Sequence, residues 1–171
     1  VNEIHGTYLA PAFQGGTRPY PTSVQGGAFS YDANGLPIKD HDETICYALT
    51  TPKLLIQPDD GWPVMIVSHG TGGNYRSFLY DSVLGKLTEW GFAVISIDNV
   101  MHGPRQDPEI DPADWTSDDW ELLDPGRYFF NILNPRASRD NVLQGAADLF
   151  YLTRLVREAS VRREEHGCPS P

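Results

Sequence analysis

The sequence predicts an α/β fold: a mostly parallel sheet with antiparallel N-terminal strands, incomplete within the 171 residues. Two continuous apolar runs carry this prediction, PVMIVS at 63–68 and FAVISID at 92–98. Both are rich in β-branched residues, as expected of strands covered on both faces. A helical pattern lies between them, so residues 63–98 read as a right-handed, parallel βαβ unit. The third observation is a missing strand. After the second run comes one long helical pattern, with no further buried strand behind it. A βαβα series needs such a strand, so residues 1–171 read as the N-terminal part of a single domain.

Residues 1–60 are rich in Gly, Pro, Tyr and Thr and form the antiparallel part. IHGTYLAPAF, GGAFSYDANG and ETICYALTTPK read as short strands, with Asp32-Ala33-Asn34-Gly35 as a turn. The βαβ unit fills 61–98. Within it Phe78, Leu79, Val83, Leu84, Leu87 and Trp90 recur at helical spacing, and Gly91 is placed to end the helix. Residues 99–134 have no clean period and carry Trp115, Trp120, Tyr128, Phe129 and Phe130. An excursion of this length is read either as a lid over a pocket or as a surface loop packed by its own aromatics. Asn134-Pro135 supplies an N-cap and first residue for a long helix within 135–165, running to about Arg163. Its expected face is Val142, Ala146, Leu149, Thr153 and Val156. Arg154, Arg157, Arg162 and Arg163 lie favourably near its C-terminal end.

A net charge of −10 argues against nucleic acid or an anionic membrane as partner, since both are bound through Lys and Arg. Eight acidic residues and no basic one lie between Asp107 and Asp124, a run read as solvated surface. No apolar run reaches the roughly 18 residues of a transmembrane segment. Val1 stands first, which fits removal of a leader as well as a boundary. Cys46 and Cys168 match no metal spacing. A disulfide between them is one expectation for a secreted protein; a free Cys168, or one paired elsewhere, is the other. Asp40-His41-Asp42 would alternate faces on extended backbone, and reads as a polar turn. Neither a metal nor a cofactor is expected.

The stretch VMIVSHGTGGNYRSF (64–78) runs from buried strand through glycines into helix. A phosphate-binding P-loop would place Lys-Ser or Lys-Thr after its last glycine, where Asn74-Tyr75 stands. A dinucleotide fingerprint would place a third glycine at Tyr75, although Asp98 would suit a ribose contact. His-Gly-x-Gly-Gly directly after a buried strand fits a different chemistry. Acyl transfer puts negative charge on one oxygen of a tetrahedral intermediate, and fixed amide hydrogens must already point there. Glycines let the backbone approach that oxygen closely, and a following helix N-terminus adds a favourable dipole.

These residues resemble the α/β-hydrolase fold, whose HG-rich turn between a strand and the first helix forms part of the oxyanion hole. SIDNVMHGPR (96–105) looks like the next strand and its turn in esterases and lipases of that fold. NPRASRDNVLQGAADLFYL (134–152) resembles the helix before the nucleophile strand in bacterial extracellular lipase-like hydrolases. The resemblance covers roughly residues 45–165. It implies that the Thr71 backbone N–H serves the oxyanion, in a turn shaped by Gly70, Gly72 and Gly73. His69 is read as bracing that turn through side-chain hydrogen bonds. His102 is read either as lining an acyl pocket or as bonding its own turn, and Asp98 as a structural carboxylate.

No G-x-S-x-G occurs, and Ser68 lies on the wrong strand for a nucleophile. In this fold Ser, Asp or Glu, and His succeed one another in that chain order. The triad is therefore expected in the C-terminal remainder of the same hydrolase, downstream or in a partner chain, and this chain alone is expected to be inactive. The implied activity is hydrolysis of an apolar carboxylic ester through a serine acyl-enzyme, in a secreted or periplasmic setting. Two alternatives share the fold: a binding module without chemistry, and a serine peptidase.

Overall fold

The computed structural model describes residues 1–106, 124–158 and Cys168. Strands β1 (Asn2–Ala12) and β4 (His41–Thr51) are antiparallel over their whole length, from Asn2 opposite Thr51 to Ala12 opposite His41. Between them β2 (Gln14–Gly16) and β3 (Gly26–Phe29) pair as a separate antiparallel ribbon. The turn at 32–35 forms as the sequence predicts. Asp32 accepts the Asn34 and Leu36 amides at 2.9 and 2.8 Å, and Gly35 takes φ +79°, which glycine adopts without steric cost.

β5 (Val64–Ile66) and β6 (Ala93–Ile97) are parallel, and the four-stranded sheet has the order β1-β4-β6-β5. The fold is α/β with a mixed sheet. Parallel pairing, expected for most of the sheet, is confined here to β5 and β6, because β4 meets β6 antiparallel. β6 is buried along its length. β5 departs from the expected cover on both faces: it is an edge among the described residues, with Val64 37% and Met65 38% exposed. The expected polar turn at Asp40–Asp42 is also corrected. His41 and Asp42 open β4, because the Asp40 amide donates to the Ala12 carbonyl and starts the ladder.

Side chains alternate along β4 and divide the core. Ile45 and Leu49 join Ile95, Ile97 and Leu152 on one face, while Cys46 and Ala48 join Val94, Phe78 and Leu84 on the other. Leu152 belongs to α3 (Pro135–Glu158) and Leu84 to α1 (Ser82–Glu89), so a helix covers each face. Cys46 and Cys168 form a disulfide with Cα atoms 5.7 Å apart.

The helix expected from Phe78 to Trp90 is split. A single 3-10 turn over Ser77–Tyr80 precedes α1, whose N-cap is Asp81, accepting the Val83 amide at 2.9 Å. Phe78 and Leu84 are buried, whereas Val83 and Trp90 are exposed. A further helix, α2 (Pro125–Phe130), starts from Asp124, which accepts the Gly126 and Arg127 amides. No apolar period announces it. The acidic part of the suggested lid, 107–123, and the end of the long helix, 159–163, lie outside the described residues.

α3 begins at Pro135 behind Asn134, as expected, but buries a different face. Val142, Ala146 and Thr153 are exposed. The buried stripe is Ala137, Asp140, Asn141, Gln144, Asp148 and Leu152, mostly polar. These residues bond the β-strands beneath them. Gln144 accepts the Phe13 amide at 2.8 Å, and Asp140 accepts the Phe29 amide at 2.8 Å. Asn141 accepts from Gln14 and donates to the Tyr128 and Phe129 carbonyls. A hydrophobicity pattern cannot find a face that docks by hydrogen bonds to backbone ends.

Candidate functional site

The parallel strands β5 and β6 deliver two turns to the same edge of the sheet, 68–73 and 98–103. This carboxyl edge is where open α/β sheets bind ligands. Five side-chain bonds join these segments, one of them from Ser68 to Asn99. His69 Nε2 accepts the Asn99 amide at 3.0 Å, and the Asn99 side chain donates to the His69 carbonyl at 2.7 Å. His102 Nε2 accepts the Gly72 amide at 3.2 Å. Asp98 accepts the Tyr75 amide at 2.8 Å. The other nitrogen of each ring faces a carbonyl: His69 Nδ1 lies 2.8 Å from Gly70 O, and His102 Nδ1 lies 2.9 Å from Val100 O. The two rings meet edge to face with centroids 4.8 Å apart.

Within the glycine turn, four successive amides are used internally. Gly72 donates to His102, Gly73 to the Gly70 carbonyl, Asn74 to Ser77 Oγ and Tyr75 to Asp98. The Thr71 amide donates to no acceptor among the described residues. Gly72 sits at φ +82°, which a side chain disfavours. Gly73 is required for a different reason, since a Cβ there would lie 2.9 Å from Ser77 Oγ and 3.0 Å from the His69 Cβ. Gly70 has open space around it and no positive φ.

A pocket of about 270 Å3 opens beside this turn. Residues 68–71, Asn99 and His102 line one side; Phe129, Val142 and Leu149 line the other. His102, for which two roles were open, bonds its own turn at Val100 and also lines this pocket, whose occupant the geometry does not identify. Ser68, exposed, donates to Asn99 Oδ1 at 3.1 Å.

Beneath the second turn lies a buried ion cluster that the sequence did not disclose. Arg105 is paired with Glu43 through two bonds of 2.9 Å and with Asp148 at 2.8 Å. Arg18 also pairs with Glu43. Arg105 donates to the Asp98 carbonyl at 2.8 Å, and Arg18 to the Arg105 carbonyl at 3.0 Å. Two guanidiniums and two carboxylates balance. Burial would raise the Glu43 carboxyl, but Arg105 and Arg18 overcome that and hold it well below the usual carboxylate range. Arg105, Glu43 and Asp148 come from three distant segments, and only their contact reveals them.

Burial sets the remaining protonation states. It pushes Asp98 up to about 7, against the Tyr75 amide and Arg105. It pushes His69 down to about 4 and also lowers His102. Both rings are therefore neutral at neutral pH. Among the described residues no group of three or more His, Cys, Asp or Glu is placed to hold a metal ion. No helix among them is long and apolar enough to cross a membrane. Compared with protein-family models, curated proteins and solved structures, the chain matches none.

Proposed function

We propose that this chain supplies the oxyanion turn and part of the acyl pocket of a serine carboxylic ester hydrolase of the esterase or lipase type. The observation that carries this reading is the Thr71 amide. It meets no acceptor among the described residues and lies beside a pocket with one apolar wall, while the next four amides are consumed. A phosphate cradle needs several amides turned outward together, which weighs against a nucleotide. One pre-positioned donor, beside an apolar wall of Phe129, Val142 and Leu149, suits a single developing oxyanion.

In this reading a serine from the C-terminal remainder of the same hydrolase attacks the ester carbonyl. The carbonyl oxygen gains charge against the Thr71 N–H, the alcohol departs, and water releases the acid. Two features support a downstream segment as partner. The outer edge of β5 pairs with no strand among the described residues. A cavity of about 450 Å3 separates Val64 and Ile66 from Thr153 and Val156 of α3. A strand added parallel to β5 would fill it and cover the exposed side of α3. The Cys46–Cys168 disulfide supports a secreted or periplasmic setting, where such bonds persist.

The test is fluorophosphonate labelling and hydrolysis of p-nitrophenyl esters, by this chain alone and with its downstream segment. Labelling and turnover only in the joined protein support the proposal. A joined protein that folds but neither labels nor turns over would leave a binding module. Preference for peptide over ester substrates would make it a peptidase.

A further inference from the structure

We propose that His69 and His102 are positioning residues, each locked as the neutral Nδ1–H tautomer, which stitch the two turns together reciprocally and thereby set the Thr71 amide. The tautomers are dictated by the partners alone. A backbone N–H can only donate and a carbonyl can only accept, while a neutral imidazole carries one proton and one lone pair. The Asn99 and Gly72 amides point at Nε2 of the two rings, so both Nε2 atoms are bare. Gly70 O and Val100 O face the two Nδ1 atoms, so both Nδ1 atoms carry the proton.

The exchange is reciprocal. His69 leaves the first turn and accepts an amide of the second; His102 leaves the second and accepts an amide of the first. The amide that His102 holds belongs to Gly72, next to Thr71. A second proton on either Nε2 would set N–H against N–H across about 3 Å and break that stitch. The charged groups around the rings oppose such a proton. Burial first, then the neighbouring ring and Arg105, disfavour a positive charge on His69, and burial and Arg105 disfavour one on His102. Asp98, close by, is held protonated up to about pH 7 by burial and supplies no counter-charge in acid. From α2 and α3 the pocket receives Phe129, Asn141, Val142, Gly145 and Leu149, none of which titrates. The consequence is an acid-labile turn whose donor geometry is lost when the rings charge.

This inference rests on the oxyanion reading for its purpose but not for its test. In the 15N-labelled protein, long-range proton–nitrogen spectra should show both rings protonated at Nδ1 alone at pH 7. Gly72 should exchange its amide proton roughly tenfold faster in His102→Phe than in the native protein, equivalent to about 1.4 kcal/mol. His102→Gln, whose side-chain oxygen can accept the same bond, should restore the protection and remove its dependence on acid. An Nε2–H tautomer on either ring overturns the proposal, as does Gly72 exchange that ignores His102→Phe or a Gln variant that behaves like Phe. Should His102→Phe not fold, the native tautomers and the Gln variant decide. Correct tautomers without esterase activity in the joined protein would retain the stitch and discard the oxyanion role.

Discussion

The Asp98 carboxyl accepts the Tyr75 amide at 2.8 Å and so ties the end of β6 to the chain just beyond the glycine turn. Its other oxygen is buried and has no hydrogen-bond partner among the described residues. Burial lifts the carboxyl from the unfolded value of 3.8 to about 7. The native state therefore binds this proton more tightly than the unfolded chain. That stability is present below pH 4 and is lost as pH rises through 7, at about 1.4 kcal/mol per unit. Asp98→Asn removes the titration. Its melting temperature relative to the native protein should be more favourable at pH 8 than at pH 5. An equal difference at both values would place the carboxyl charge outside the stability balance.

Removing one member of the buried ion cluster leaves its partners uncompensated. Arg105→Met should cost about 3–5 kcal/mol by urea unfolding, and so should Glu43→Gln. The two should be far from additive in a double-mutant cycle, because both break the same pair. The pH dependence has the opposite sign to that of Asp98. Glu43 is held below its unfolded value of 4.5, so its contribution stands above that pH and fades as acid approaches the lowered folded value. Glu43→Gln should flatten this part of the acid-denaturation curve.

Cys46 and Cys168 close a sequence separation of 122. A loop of that size, opened in the unfolded state by Cys168→Ser, removes about 2–5 kcal/mol of stability. Reductant should lower the native melting temperature and leave that of Cys168→Ser unchanged. Equal sensitivity of both proteins to reductant would show that the pair contributes nothing.

Where the chemistry of an element is local, the sequence disclosed it. The runs at 63–68 and 92–98, the Asp32–Gly35 turn and the Asn134-Pro135 helix start rest on neighbours in sequence, and all are present. The face of α3 was not legible, because Asp140, Asn141, Gln144 and Asp148 in its buried stripe each bond a partner more than ten positions away in sequence, beyond the local Arg139–Asp140 and Gln144–Asp148 bonds. The uncovered apolar side, Val142 among it, carries the hydrophobic period. For the site, the glycine turn was legible as a turn. The cross-bonds around Thr71, whose amide meets no acceptor among the described residues, were not, since they depend on where a second turn, thirty residues on, places Asn99 and His102.

The most direct prediction of the proposed oxyanion role concerns Thr71 in the protein joined to the proposed downstream segment. The donor in question belongs to the backbone, so the side chain should matter little. Thr71→Ala should keep ester hydrolysis within a few-fold of native, because the amide survives. Thr71→Pro removes the N–H and should lower kcat about 10²–10³-fold, the loss typical of one oxyanion donor. Because proline also fixes φ, its fold must be checked by circular dichroism and by protection of the Gly72 amide, which reports the adjacent bond to His102. Gly72→Ala supplies the control for distortion: a Cβ there meets nothing within 4 Å but must sit at φ +82°, so it should cost about 1 kcal/mol in stability with no loss of the Thr71 donor. Loss of activity in Thr71→Pro but retention in Gly72→Ala would assign the donor to Thr71. A folded Thr71→Pro protein with native kcat would remove it from the reaction.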